Sequence, residues 1–259
     1  MHPEKGKEAG YRQWLIPDPK AVFVLVHGLG AHGGRWEAAA DFFRKRGVSS
    51  YAVELGKTDS LADHKGKILR LHGIARRDNP AKKIFLIGES LGAITSFMLC
   101  AGRPGLFDAL VCVSPAFSPG QRPSPPDYMR MLAALFFNPE KQFTLSFDSS
   151  MCTRDIEYRA KLDSDPDEYR AIPVKKIFEI LLAQRRAASM GKSMLTPALF
   201  LIAGDDRIAD AASAEAVFSK LAAKDKAMVK FPGMYHSLSI DLGREAVFEE
   251  ILKWMETHL

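Results

Sequence analysis

An α/β fold, with a mostly parallel central sheet and helices on both faces, is what this sequence predicts on three observations. The runs Ala21–Val26, Lys83–Ile87, Ala109–Val113 and Ala198–Ile202 are almost continuously aliphatic or β-branched. Such runs, without polar alternation, are what strands covered on both faces require. Stretches of helical periodicity lie between them, and strand–helix alternation with right-handed crossovers builds a parallel sheet. Finally, 259 residues of which 47% are hydrophobic and 26% charged suffice for one substantial core.

In chain order, Tyr11–Ile16 reads as an opening strand and Pro17-Asp-Pro19 as the turn into the buried run that follows. Weaker strands are expected at Ser50–Glu54 and Ala227–Phe231, and helices over Arg35–Arg46, Lys65–Arg77, Leu91–Ala101, Ala211–Ala223 and Arg244–Thr257. From about Phe117 to Met194 no core strand is expected. That region opens with Pro119, Pro123, Pro125 and Pro126, a rigid, helix-excluding stretch. It continues with the apolar segment Tyr128–Phe137 and a helix over Val174–Ala188, whose Val174, Ile177, Phe178 and Leu181 share one face. The division that follows is a core of residues 1–116 and 195–259, interrupted by a cap or lid insertion at 117–194. Leu132, Leu135, Phe136 and Phe137 suit either an acyl chain under that lid or the insertion's own core.

The formal net charge is +5, but the basic residues are scattered, as at Lys65, Lys67, Arg70, Arg76 and Arg77. No dense basic run marks a nucleic-acid arm, and a solvated, mildly basic surface is expected. Cys100, Cys112 and Cys152 make an odd count without metal-ligand spacing. Buried thiols in a reducing compartment fit that better than a disulfide framework. The opening Met-His-Pro-Glu-Lys-Gly-Lys-Glu has no apolar h-region, and the longest apolar runs are too short to span a bilayer. The expectation is a soluble, cytoplasmic chain.

The sharpest chemical signal is Gly88-Glu-Ser90-Leu-Gly92. A Gly-x-Ser-x-Gly match alone arises by chance about once in ten chains of this length. Here it follows a strand and precedes a helix, the context of a nucleophile elbow. The turn forces the serine into strained dihedrals, and only small residues two positions either side avoid a clash. A serine hydroxyl needs a base, and the base an orienting carboxylate, from loops after later strands in the order Ser, acid, His. His236 is the histidine that follows the last strand. His2 and His258 lie near the chain ends and read as solvated, and His64 and His72 have no nucleophile nearby in sequence. For the acid, Asp205, Asp206 and Asp210 follow the strand Ala198–Ile202. Asp210 precedes an Ala-rich helix and reads as its N-cap; Asp205 and Asp206 stay open on the residues alone. An oxyanion hole needs two convergent backbone N–H groups. Leu91 supplies one, and Leu29, in the loop His27-Gly-Leu-Gly30, the other. His27 reads as a residue that fixes that loop.

Together these residues resemble the α/β-hydrolase superfamily, in particular its monoacylglycerol lipase and lysophospholipase branch. His27-Gly-Leu-Gly-Ala-His32-Gly-Gly-Arg35-Trp36 is similar to that branch's oxyanion loop, and Val113-Ser-Pro-Ala116 to the segment after the elbow helix. Gly204-Asp-Asp206-Arg207-Ile208 resembles the acid loop, in which the Asp preceding Arg is catalytic; the resemblance therefore implies Asp206. Gly233-Met-Tyr-His236-Ser resembles the histidine loop. The likeness covers roughly 10–116 and 195–259. Val53-Glu-Leu-Gly56-Lys-Thr-Asp59-Ser60 departs from the family's Asp…Gly-His-Gly-x-Ser loop, which bears on a pocket wall and not on the triad. The resemblance implies a serine esterase working through Ser90, Asp206 and His236 without metal or organic cofactor. Its partner would be a small ester or lipid, with transient contact to a lipid surface through the cap and none to nucleic acid. The same triad on amides, peptides, thioesters or carbon–carbon bonds, and a non-catalytic binding protein on this scaffold, are the competing readings.

Overall fold

Alternate residues of the same strands feed two separate cores, one on each face of the sheet. Val22, Val24 and Val26 join one apolar cluster, while Ala21, Phe23 and Leu25 join the other. This is the physical reason the run is apolar throughout. The computed structural model describes residues 4–5, 10–121 and 123–259.

The elements run β1 (Glu4–Lys5), β2 (Tyr11–Trp14), β3 (Ala21–Val26), a 3₁₀ turn (Gly33–Trp36), α1 (Glu37–Arg44), β4 (Val48–Val53), α2 (Leu61–Asp78), β5 (Lys83–Glu89), α3 (Leu91–Gly102) and β6 (Ala109–Val113). There follow α4 (Pro125–Phe137), β7 (Gln142–Thr144), α5 (Ser149–Cys152), α6 (Ile156–Ser164), β8 (Ala171–Pro173), α7 (Val174–Ser189), β9 (Ala198–Ala203), α8 (Ala211–Ser219), β10 (Lys226–Phe231) and α9 (Arg244–Glu256). Among the described residues the main sheet has eight strands in the order β1-β2-β4-β3-β5-β6-β9-β10. β1–β2 and β2–β4 are antiparallel and every other pair is parallel. Helices α1 and α9 cover one face, and α2, α3 and α8 the other. The α/β fold read from the sequence is the one observed.

Several boundaries shift for identifiable reasons. Helix α2 starts at Leu61, earlier than expected, because Ser60 and Asp63 form a reciprocal capping box. β4 is a buried six-residue strand rather than a weak one. Arg35 lies in the 3₁₀ turn and not in the helix that follows. The proline-rich stretch does not exclude a helix: Pro125 and Pro126 occupy the first turn of α4, behind the Ser124 cap. A missing N–H costs nothing at that position, which is why proline is tolerated there.

β6 and β9 are neighbours in the sheet, so the chain between them is a long excursion from it. That segment holds α4 to α7 and its own antiparallel pair, β7–β8. Met131, Ala134 and Val174 form a small cluster with Leu135, Phe143, Ile177 and Phe178. Phe136 and Phe137 are 76% and 91% exposed. They therefore belong neither to the segment's core nor to a covered acyl site, against both sequence expectations. One helical face cannot turn every apolar residue inward when α7 and Phe143 of β7 pack against one side of it.

Phe23 has no exposed surface and sits with its ring centroid 4.9 Å from that of Phe43 and 5.7 Å from that of Phe85. Phe23→Ala should cost about 3–5 kcal/mol of unfolding free energy. Urea denaturation, with an unchanged slope, is the measurement that checks it.

Candidate active site

The site is assembled at the carboxyl ends of the parallel strands, where the loops leave the sheet. β5 ends at Glu89 and α3 begins at Leu91, so Ser90 alone makes the turn, with φ 57° and ψ −119°. Such dihedrals are rare for a residue with a Cβ. Close packing holds them. A Cβ on Gly88 would lie 2.5 Å from the Gly92 carbonyl oxygen, and one on Gly92 2.5 Å from that of His27. The requirement for small residues on both sides of the serine is thus met as expected. The Ser90 N–H donates to the Val113 carbonyl at 2.9 Å, tying the turn to the neighbouring strand.

His236 Nε2 lies 2.8 Å from Ser90 Oγ, and its Nδ1 lies 2.9 and 2.8 Å from the two oxygens of Asp206. A carboxylate only accepts, so Nδ1 carries the proton and Nε2 is left to accept from the serine hydroxyl. Asp206 Oδ1 also accepts from the N–H groups of Ile208 and Ala209, both at 2.8 Å. Asp205, by contrast, is exposed, and Asp210 caps α8 through the Ala212 N–H. Three side chains predicted from separate loops therefore meet, and of the three candidate acids it is Asp206 that reaches the imidazole.

Burial raises the cost of the Asp206 charge. His236 and the two backbone donors outweigh it and hold the carboxyl below its ordinary value. Burial likewise opposes a charged His236, which is only 4% exposed. Asp206 and, from further off, Glu89 overcome that and lift the imidazole above its ordinary 6.5, with Arg35 working against them.

Leu29 and Leu91 stand where the sequence reading put them, in the loop after β3 and at the first position of α3. Neither N–H donates to a protein acceptor among the described residues. A Cβ on Gly28 would lie 3.0 Å from Ser90 Cβ, so this loop runs directly against the serine. Gly30 is required by its own backbone conformation and by a close neighbour. Its φ is +81°, and a Cβ there would lie 2.8 Å from the Tyr169 carbonyl oxygen. His27 fixes the loop as expected: its Nδ1 donates to the Gly28 carbonyl and its Nε2 accepts from the Leu55 N–H. Burial pushes its pKa down to about 4, so it stays neutral at pH 7.

The other histidines stand apart. Burial, reinforced by Lys176, takes His64 down to about 3. His258 is not free in solvent as its position near the end had implied. It packs on the Trp254 ring and bonds the Trp254 carbonyl and Asp225. His2 lies outside the described residues. Burial pushes the Cys100 thiol up to about 12 and Cys112 also upward, in line with inert core thiols.

Several contacts around the site were not legible in the sequence. Arg35 grips Glu168 with two bonds of 2.6 Å, His32 Nε2 lies 2.9 Å from Asp165, and the Tyr169 N–H donates to the Gly30 carbonyl. The inserted segment is thereby clamped to the loop that carries Leu29. Asp241, fully buried, accepts from the N–H of Tyr235, from Thr153 Oγ1 and from both N and Nε of Arg154. The divergent loop at 53–60 also has a defined purpose. Glu54 accepts from the Gly33 N–H and Arg12, while the Asp59 carbonyl accepts from the buried Lys176 ammonium of α7. Each partner is remote in sequence, and its meaning is fixed only by contact.

Residues 17–243 match the model of the family Hydrolase_4, described as serine aminopeptidase, S33. The chain belongs to that family. Within it, similarity runs to a monoacylglycerol lipase of Mycolicibacterium smegmatis, 26% identical over 93% of this chain and 90% of that one. It runs also to mouse monoglyceride lipase, 27% identical over 92% of this chain and 82% of the relative. The crystal structure of a monoacylglycerol lipase from Paleococcus ferrophilus superposes with a TM-score of 0.85 at 22% identity, covering all of both chains. The Hydrolase_4 chain described here therefore has the α/β-hydrolase fold, and its resemblance to the monoacylglycerol lipase branch extends over the inserted segment as well as the core.

Two measurements probe the geometry. Since the base must be neutral to accept a proton, the acid limb of kcat/KM should have its midpoint above pH 6.5, with activity rising as pH rises through it. Asp206→Asn should reduce kcat by about 10³–10⁴-fold with little change in stability; Asp205→Asn should leave kcat within about twofold.

Proposed function

We propose that Ser90 is the nucleophile, His236 its general base and Asp206 the acid that orients it, with the N–H groups of Leu29 and Leu91 as the oxyanion hole. The observation that carries this is the 2.8 Å contact from His236 Nε2 to Ser90 Oγ, made while Nδ1 is held by Asp206. The chain is a serine hydrolase of carboxylic esters. Ser90 Oγ attacks the ester carbonyl as its proton passes to Nε2, and the oxyanion forms facing two N–H groups worth about 3–4 kcal/mol each. Collapse breaks the C–O bond, and the alcohol leaves with the proton from Nε2. Water, deprotonated by the same nitrogen, then cleaves the acyl-enzyme.

As substrates we assign monoacyl esters of medium or long chain length; monoacylglycerol lipases are among the relatives to which the chain is similar. Residues 117–194 act in this reading as a cap. A cavity of about 350 Å³ between α4, α7 and the chain after β6 supports the choice, walled by the apolar Phe117, Pro119, Tyr128 and Leu181 and by the polar Gln184 and Arg185. Exposed Met129, Phe136 and Phe137 on α4, with Arg130 beside them, supply an apolar surface for transient contact with lipid. Among the described residues no helix is long and apolar enough to cross a membrane. Three free, buried thiols accord with a cytoplasmic location.

The family's description names an aminopeptidase, so amide cleavage is the rival to be tested. A panel of p-nitrophenyl esters of increasing length, a monoacylglycerol, a lysophospholipid and a peptide amide separates the two. The esters should be hydrolysed with kcat/KM rising from acetyl to longer acyl groups, and the amide turned over far more slowly. A fluorophosphonate should label the parent and not Ser90→Ala, whose kcat should fall by about 10⁶-fold. Flat or falling kcat/KM with acyl length would remove the chain-length assignment; an unlabelled parent would remove the whole reading.

A further inference from the structure

The residue between Gly88 and Ser90 in the elbow motif is an acid, and it does not face the substrate side. Glu89 is 4% exposed, at the end of β5. Side chains alternate along a strand, so it points to the face that Phe85 and Ile87 share with α1 and α9. There its carboxylate accepts from the Ser239 N–H at 3.1 Å and from the Ser239 hydroxyl at 2.9 Å. Ser239 is itself buried and lies three residues past His236. The stretch from 236 to 239 is a tight turn, with the Leu238 N–H donating to the His236 carbonyl and the Ile240 N–H to that of Ser237. Pulling on Ser239 therefore moves the imidazole.

We propose that Glu89 is a positioning residue for the hydrolysis, binding the histidine loop to the strand that carries the nucleophile and setting the Nε2–Oγ distance through Ser239. This rests on the triad reading given above. The loop is held at both ends by buried carboxylates, Glu89 at Ser239 and Asp241 at Tyr235. Of the two, Glu89 is covalently adjacent to Ser90, so the same residue locates nucleophile and base. Its second effect is electrostatic. The groups facing His236 are Asp206 from the loop after β9, Glu89 from β5 and Arg35 from the 3₁₀ turn. Those facing Glu89 are Ser239, His236, Arg35 and, from α6, Tyr158. Arg35 is already engaged by Glu168, which leaves Glu89 as the second negative group acting on the imidazole. A buried carboxylate without a strong cation of its own is costly, and burial indeed raises its pKa. A serine side chain and one N–H do not recover that cost, which points to a purpose other than stability.

The test compares Glu89→Gln, Glu89→Ala and Ser239→Ala in the full chain. Fluorophosphonate labelling of the parent comes first, as a separate check on the triad. Glu89→Gln keeps size and hydrogen-bonding capacity but loses the charge. Its kcat should fall several-fold at unchanged KM, and the acid limb of its kcat/KM profile should move to lower pH. Glu89→Ala should lose about 10- to 100-fold in kcat, again at unchanged KM. Ser239→Ala keeps the charge and the N–H bond, so it should lose less in kcat and leave the acid limb in place. Thermal unfolding of each variant guards against misfolding, and Ser239→Ala gives the answer if both Glu89 variants unfold. A labelled parent whose Glu89→Gln variant retains kcat and the parental acid limb would overturn the proposal. So would losses in the Ala variants that follow Tm alone.

Discussion

At Ser90 the backbone is held in a conformation that costs on the order of 1–3 kcal/mol, and the remainder of the site is arranged around it. The strain persists because its surroundings leave no alternative. The Ser90 N–H is taken by Val113, its carbonyl receives the N–H groups of Ala93 and Ile94, and Gly92 is pressed against the carbonyls of Val26 and His27. Behind it every residue of α3 from Leu91 to Ala101 is buried, so the helix cannot rotate to relax the turn. Ser114, at the end of the neighbouring strand, also has a positive φ, 41°, and its N–H donates to Leu201. Ser90 and Ser114 thus lie where the tightly paired centre of the sheet gives way to loops, and there packing can enforce what local preference opposes.

The loops that bring in the other groups are held by a different device. The acid and histidine loops leave β9 and β10 as adjacent parallel neighbours, and Asp205 and Met234 are joined backbone to backbone. The histidine loop is then suspended between Glu89 and Asp241. The loop that carries Leu29 is clamped to the inserted segment by Arg35–Glu168 and His32–Asp165. Buried ion pairs such as Arg35–Glu168 contribute little net stability, because desolvation offsets the attraction. What they supply is register: each partner's absence leaves a buried charge exposed to no solvent, so alternative placements of the loop are penalised. In a site where 1 Å of displacement costs orders of magnitude in rate, that penalty is what matters.

The segment between β6 and β9 is consequently more than an excursion from the sheet. Through Arg154 to Asp241, Glu168 to Arg35 and Lys176 to the loop at Asp59, it touches the loop of His236, the loop that carries Leu29 and the divergent loop at 53–60. Its outer face is unlike its inner one, since α4 turns Phe136 and Phe137 to solvent while Met131 and Ala134 pack inward. A single segment therefore carries both the apolar surface and the charged struts that brace the loops around Ser90.

The sequence by itself determined the mostly parallel sheet, its buried strands and two of the side chains that meet at its edge, Ser90 and His236. Strand burial writes itself as unbroken apolar runs, and an elbow needs small residues at set offsets, so both are local patterns. Asp206 needed the family likeness as well, because Asp205 and Asp206 are equivalent to any local argument. Only the tertiary structure decided what Glu89, Asp241, Glu168 and Arg35 do. An acid in a sequence reads as solvated surface until contact shows which donors it faces, and those donors lie up to 150 residues away. It also decided that Phe136 and Phe137 face outward and that Pro125 opens a helix. Which side of a short helix is covered depends on what packs against it, and that information is carried by no residue of the helix itself.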